Sequence, residues 1–355
     1  METSEKSKTW IDMFSHPVFR AVGDHVAEVN EEAQQCGISV GSDIFCLLGQ
    51  NAAEYTAFSG GSLSVGITVD SVNYMATVLP TADGNVFHLQ GAYDSDQMRT
   101  VALIAQQLRK PLSGIMTATD TLYPDTAFSS DSAQKKQFTA LNRSMHQLFR
   151  QVSNLTAAAD MGRDRRGYME TQNIVSLIDE QMQTSAQYAD MAGRTLLFSG
   201  IAESIYCQVD TQVLERAIYN LISNAINYSP AGSTVSAHLS RIENRLQFSV
   251  ENTVSEDITP PEDLFFRFNR IPNIEDCRHG MGLGIPLVQY ASSVHGGCLL
   301  MDRPSEKQIR FTFSLPILQK QEAVVRSPVL RIDYLGGRDH ALVELSDVLP
   351  CSAYE

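Results

Sequence analysis

Asn220 and Asn224 stand four residues apart in AIYNLISNAINY (Ala217 to Tyr228), where Ile218, Leu221, Ile222, Ala225 and Ile226 recur at helical spacing. The two amides therefore lie one turn apart on the same side of a helix and can share a ligand. Further on, GMGLGIPLV (Gly280 to Val288) sets three glycines at alternate positions before an apolar run that reads as a helix, with Pro286 tolerated in its first turn. Glycine has no Cβ, so backbone amides can approach a phosphate, and a helix N-terminus adds favourable positive potential. Together the two segments make a candidate polyphosphate site.

Between them runs LFFRFNR (Leu264 to Arg270), and after them come HGG (His295 to Gly297) and a strand ending in FTFSLP (Phe311 to Pro316). This ordered set resembles the ATP-binding domain of sensor histidine kinases, with its Asn helix, Phe box, glycine box, HGG turn and closing strand. The resemblance implies ATP as ligand, contacted by Asn220, Asn224, Tyr228, Asn252, Phe265, Phe268, Gly280, Gly282, Leu283 and Gly284. It also implies Mg²⁺ at the Asn224 amide oxygen, with phosphates and waters as the other ligands.

One element departs from the family. The strands STVSAHLS and LQFSVEN, joined by a turn at Glu243-Asn244, precede the place where the family carries Asp-x-Gly-x-Gly, and here the chain reads Asn252, Thr253, Val254, Ser255, Glu256. Asn252 keeps a carbonyl oxygen for the adenine amine but lacks the charge. Thr253 and Val254 are β-branched and resist the positive φ that glycines permit. Adenine recognition is expected to survive weakened.

The second departure decides the chemistry. AQQLRKPLSGI (Ala105 to Ile115) is similar to the family's phosphoacceptor box, His-Glu-Leu-Arg-x-Pro-Leu, with Leu108, Arg109, Pro111 and Leu112 in place. Gln106 occupies the acceptor position and Gln107 that of the neighbouring acid. An amide nitrogen is essentially non-basic and cannot replace imidazole as a nucleophile. Autophosphorylation as the family performs it is not expected. His146, in SMHQLFR with no acidic partner nearby, reads as an exposed helix histidine.

These residues need elements to hold them. From Asp94 to Met161 two long helices are predicted. Val101, Ile104, Leu108, Leu112, Ile115 and Leu122 mark the seam of the first, and Phe138, Leu141, Met145, Leu148, Val152 and Leu155 that of the second. Such a hairpin dimerises as a four-helix bundle in the family; the other reading is a hairpin packed within its own chain. Before it, HPVFRAV, HVAEVNEEAQQCG and DIFCLL suggest a strand pair leading into short helices, followed by strands SLSVGITV, NYMATVLPT and NVFHLQGAY with turns at Asp70-Ser71 and Asp83-Gly84. This order resembles a PAS-type sensor. After the hairpin, Ile174 to Met191 reads as an amphipathic helix feeding the ATP-binding domain.

The expected architecture is an α+β multidomain chain. Residues 1–93 form a PAS-like α/β sensor, 94–162 an antiparallel helical hairpin, and 170–316 an α/β sandwich ATP-binding domain of the Bergerat type. Residues 317–355 form a linker and a small folded appendix docked on the ATP-binding domain.

With 355 residues, 43% hydrophobic and 19% charged, the chain can bury real cores. A formal net charge of -14 argues against nucleic acid or anionic lipid as the main partner. No run approaches a membrane span and the start METSEKSK is no secretory signal, so a cytoplasmic location is expected. The six cysteines are scattered without metal-ligand spacing, and His16, His25 and His88 read as solvated or core side chains.

The function expected is signal transduction with Mg-ATP binding, as a homodimer or heterodimer through the hairpin, with a response regulator or a kinase as partner. The alternative is an inactive pseudokinase scaffold. A chaperone- or repair-type ATPase of the wider superfamily is disfavoured by the upstream hairpin.

Overall fold

Strict alternation builds the central strands. In β9 (Thr234–Ile242) Val235, Ala237 and Leu239 point inward, and in β10 (Arg245–Thr253) Leu246, Phe248 and Val250 do so, with Glu243 taking a φ of 51° at the turn between them. The computed structural model describes residues 10–90, 95–122, 133–161, 168–254, 283–318 and 333–354. β12 (Gln308–Pro316) pairs antiparallel with β10 and with β11 (Cys298–Asp302), and β7 (Thr195–Ser199) runs parallel to β9. A separate two-stranded pair joins β6 (Glu170–Asn173) and β8 (Tyr206–Val209).

Helices α6 (Ile174–Met191), α7 (Thr211–Tyr228) and α8 (Gly284–Val294) share one core with these strands. α7 begins where the Asp210 carboxylate accepts from the Val213 amide, and it buries Leu214, Ile218, Leu221, Ile222 and Ala225. Each of the leucines and isoleucines contributes about 1.5–3 kcal/mol. The HGG turn lets backbones meet: a Cβ on Gly297 would lie 1.8 Å from the Ser314 carbonyl oxygen.

The N-terminal strands are β1 (Val18–Val22), β2 (His25–Val29), β3 (Ser62–Val69), β4 (Val72–Thr81) and β5 (Gly84–Gln90), with α1 (Glu31–Gln35), α2 (Ile44–Leu48) and α3 (Ala52–Ala57) between β2 and β3. They order as β2-β1-β5-β4-β3. The outer edge of β3 then pairs antiparallel with β11, Val65 opposite Cys298 and Leu63 opposite Leu300. Among the described residues this makes one ten-stranded sheet. Gly61 permits the approach, since a Cβ there would lie 2.1 Å from the Met301 carbonyl oxygen. Arg245 seals the junction, donating to the carbonyls of Gly296 (2.8 Å) and Gln50 (2.9 Å) and meeting Glu54 at 2.5 Å.

The hairpin consists of α4 (Ser95–Leu122) and α5 (Ala133–Ala159). Its seam divides. Ala105, Leu112, Met116, Met145, Phe149 and Val152 are buried within the chain, whereas Ile104, Leu108, Ile115, Leu141 and Leu148 are all more than half exposed. Three- and four-residue spacing identifies apolar positions but cannot say which of two stripes meets the chain's own helices.

The C-terminal appendix, with α9 (His340–Glu344), packs on α5 as well as on α6 and α7. It bridges the hairpin and the α6–α7 pair rather than resting on the latter alone. Among the described residues no helix is long and apolar enough to cross a membrane.

Candidate nucleotide site

Helix α7 carries both asparagines. The Asn220 side chain is buried, donating from Nδ2 to its own helix at the Arg216 carbonyl (2.9 Å) and accepting at Oδ1 from Arg150 Nη2 of α5 (3.3 Å). Asn224 follows one turn later and is half-buried. The first residue of α8 lies against the pair: a Cβ on Gly284 would stand 3.1 Å from Asn220 Oδ1 and 3.8 Å from Asn224 Nδ2. Leu283 precedes α8 at the N-cap, and among the described residues no side chain caps the first amides of that helix. Uncapped amides, their dipole and two carboxamides therefore converge on one place, as phosphate and cation binding require.

At the far end of β10, Asn252 is buried and its Nδ2 donates to the Thr253 carbonyl at 3.2 Å. Tyr228 packs beside it on Val254, Met301 and Ile309. Phe265, Phe268, Gly280 and Gly282 lie outside the described residues.

Gln106 is elsewhere. It is exposed on α4 and lines a groove of about 920 Å³ with Arg109, Lys110 and Ser113 and, from the appendix, Asp333 and Gly336. Neither Asn220 nor Asn224 lines that groove. His146 reverses the expectation of exposure: it is buried, its Nδ1 is 2.9 Å from the Asn142 carbonyl, and its ring lies 4.9 Å from that of Tyr354. The cover comes from the far end of the chain, which local pattern cannot show. His16 and His88 face each other at 3.1 Å, and burial lowers both, His88 to about 4.

A charged node beside Asn220 escaped the sequence reading. Glu344 is fully buried between Arg150 (3.5 Å) and Arg216 (3.6 Å), and Arg150 also pairs with Asp347. Next to it, His340 bonds Glu215 and Asp333, both at 2.8 Å. Burial opposes its charge, but those two carboxylates prevail and push it up to about 9. The available signal was Glu344 standing inside the apolar run HALVEL, since an acid there must be exposed or paired.

The model of the family described as "Histidine kinase-, DNA gyrase B-, and HSP90-like ATPase" matches residues 209–319, which contain the Asn helix and α8. The sensor protein KdpD of Clostridium acetobutylicum is 25% identical over 218 residues, covering 60% of this chain and 24% of that protein. The sensor histidine kinase CusS of Escherichia coli is 28% identical over 243 residues, covering 65% and 46%. Among solved structures, full-length ShkA in complex with AMPPNP aligns at a TM-score of 0.49 and 22% identity, over 61% of this chain and 45% of that one. The chain thus spans less than half the length of these curated relatives. Residues 209–319 thus match the histidine kinase-like ATPase family, and the chain as a whole is similar to sensor histidine kinases.

Proposed function

We propose that this chain is a signal-transduction protein that binds Mg-ATP between α7 and α8 and does not phosphorylate itself at Gln106. The observation that carries the reading is Gly284, where the missing side chain lets the start of α8 come close against both asparagines of α7. Magnesium fits the donor set. It favours one or two protein oxygens plus phosphates and waters, and Asn224 offers one neutral carboxamide. Bound there, it would neutralise phosphate charge, while the chain's own amides orient the phosphates.

In this reading residues 1–93 are a PAS-like sensor, 94–162 the dimerisation hairpin, 170–316 the ATP-binding domain and 317–355 a linker and appendix. The strand order β2-β1-β5-β4-β3 supports the first assignment, and the exposed stripe of Ile104, Leu108, Ile115, Leu141 and Leu148 supports a four-helix bundle between two chains. Output then passes to a response regulator or a partner kinase through conformation set by nucleotide.

A scaffold without nucleotide is the second reading, favoured by two engaged amides: Asn220 Oδ1 already accepts from Arg150, and Asn252 donates to Thr253. Calorimetric titration of Mg-ATP separates them. Binding at millimolar ATP that Asn224→Ala weakens in magnesium, and much less in EDTA, is expected. No heat and no thermal shift establishes the scaffold instead.

A further inference from the structure

Away from the Asn helix, a cavity of about 300 Å³ lies where four parts of the chain meet: α4, α5, the α7–α8 pair and the appendix. Arg109 of α4, Arg216 of α7 and Tyr334 of the appendix line it, with Gln212, Asp160 and Asp333. We propose that this cavity is a binding site for a small oxyanion, the carboxylate or phosphate of a small metabolite.

Donor-bearing side chains from three elements converge on it. The Tyr334 ring is over nine-tenths buried and stacks under the Arg216 guanidinium at 4.4 Å, yet its hydroxyl has no hydrogen-bond partner. A buried hydroxyl without a partner costs about 1–3 kcal/mol, so native structures seldom leave one without a reason. Arg216 gives two of its donors to Ser153 and meets Glu344 only at 3.6 Å, and its Nε is buried without a hydrogen bond. Arg109 lies over the Phe149 ring at 5.7 Å. Burial and then the nearby Arg216 lower its pKa, and Asp333 opposes them without prevailing.

Both acids on the wall are already engaged, Asp333 by His340 and by the amides of Leu335 and Gly337, and Asp160 by an interaction of its own. Two guanidinium groups can only donate and the phenol can donate as well, and a ligand that accepts from three separate elements is an oxyanion. The volume stands at the lower end of small-molecule sites, which fits a metabolite smaller than a nucleotide. Its occupancy would tie hairpin, ATP-binding domain and appendix together.

The test titrates the full chain with inorganic phosphate and, in a separate arm, with malonate, each against sodium chloride at matched ionic strength, reading calorimetry and thermal shift. Saturable binding in either arm is expected, and the arm that binds identifies the source. Tyr334→Phe removes only the unpartnered hydroxyl, so it should fold as stably as the parent while weakening the anion about tenfold. Arg109→Gln should weaken it at least as much. Mg-ATP titration should be the same in both variants and the parent. Absence of saturable binding in both arms, or binding that both variants leave unchanged, overturns the proposal.

Discussion

Arg150 on α5 donates to Asn220 Oδ1 on α7 at 3.3 Å, and the same guanidinium faces the buried Glu344 carboxylate of the appendix at 3.5 Å. One side chain thus joins the hairpin, the Asn helix and the C-terminal segment. Removing one member of a buried charged group strands the others, at about 3–5 kcal/mol. Arg150→Ala should therefore lower the urea midpoint clearly. In the folded fraction it should also free Asn220 and tighten Mg-ATP by up to about tenfold, the value of one charged hydrogen bond. A variant of parental stability would show that Arg150 is not the tie.

Much of this was legible beforehand. Ile174 to Met191 emerges as α6 with the bounds its apolar period implies, and the Glu243 turn and alternating strands around it are where local chemistry puts them. The Asn220, Asn224 and Gly284 convergence follows from motif order. What stayed hidden depends on partners distant in sequence. β3 alternates and is bounded like any strand, so nothing in it names β11 as its neighbour. Arg150 and Glu344 lie far apart in the sequence, and only their meeting explains an acid buried in an apolar run.

His340 makes the docking of the appendix depend on pH. Its pKa is raised, so the stability it contributes is fully present below about pH 6.5 and is lost as pH rises through about 9. A shift of one unit corresponds to about 1.4 kcal/mol. With the side chain a quarter exposed, solvent screening holds the total to about 1–2 kcal/mol. Urea unfolding between pH 6.5 and 9 should show this decline in the parent and a flatter profile in His340→Gln. Parallel profiles would remove His340 from the account.

Leu148 lies on the exposed stripe of α5 and is 52% accessible in the single chain. Were that surface only solvated, Leu148→Lys would change stability by within about 0.5 kcal/mol and leave the mass in solution unchanged. On the dimer reading the same substitution buries a charge in a helical seam. Sedimentation should show a dimer for the parent and a monomer for the variant, and a monomeric parent sinks the homodimer.

The last prediction concerns Gln106. The purified chain should take no label there from γ-labelled ATP, because an amide nitrogen has no available lone pair for phosphoryl attack. Gln106→His should not restore strong labelling. Gln107 stands where an acid would orient the new imidazole and accept its proton. The structure adds a positional argument. Gln106 lines a groove shared with Asp333 and Gly336 of the appendix, while the Gly284 and Asn224 site lies on α7 and α8 under the Arg150 tie. Phosphoryl transfer requires in-line alignment to within a fraction of an ångström, so a nucleophile facing the appendix gains nothing from better chemistry alone. Adding Arg150→Ala to Gln106→His releases the tie and should raise labelling above that of Gln106→His. Acid-labile, base-stable label on the unmodified chain would overturn the prediction and require another histidine as acceptor, and since His146 is buried against Tyr354, the appendix would first have to leave.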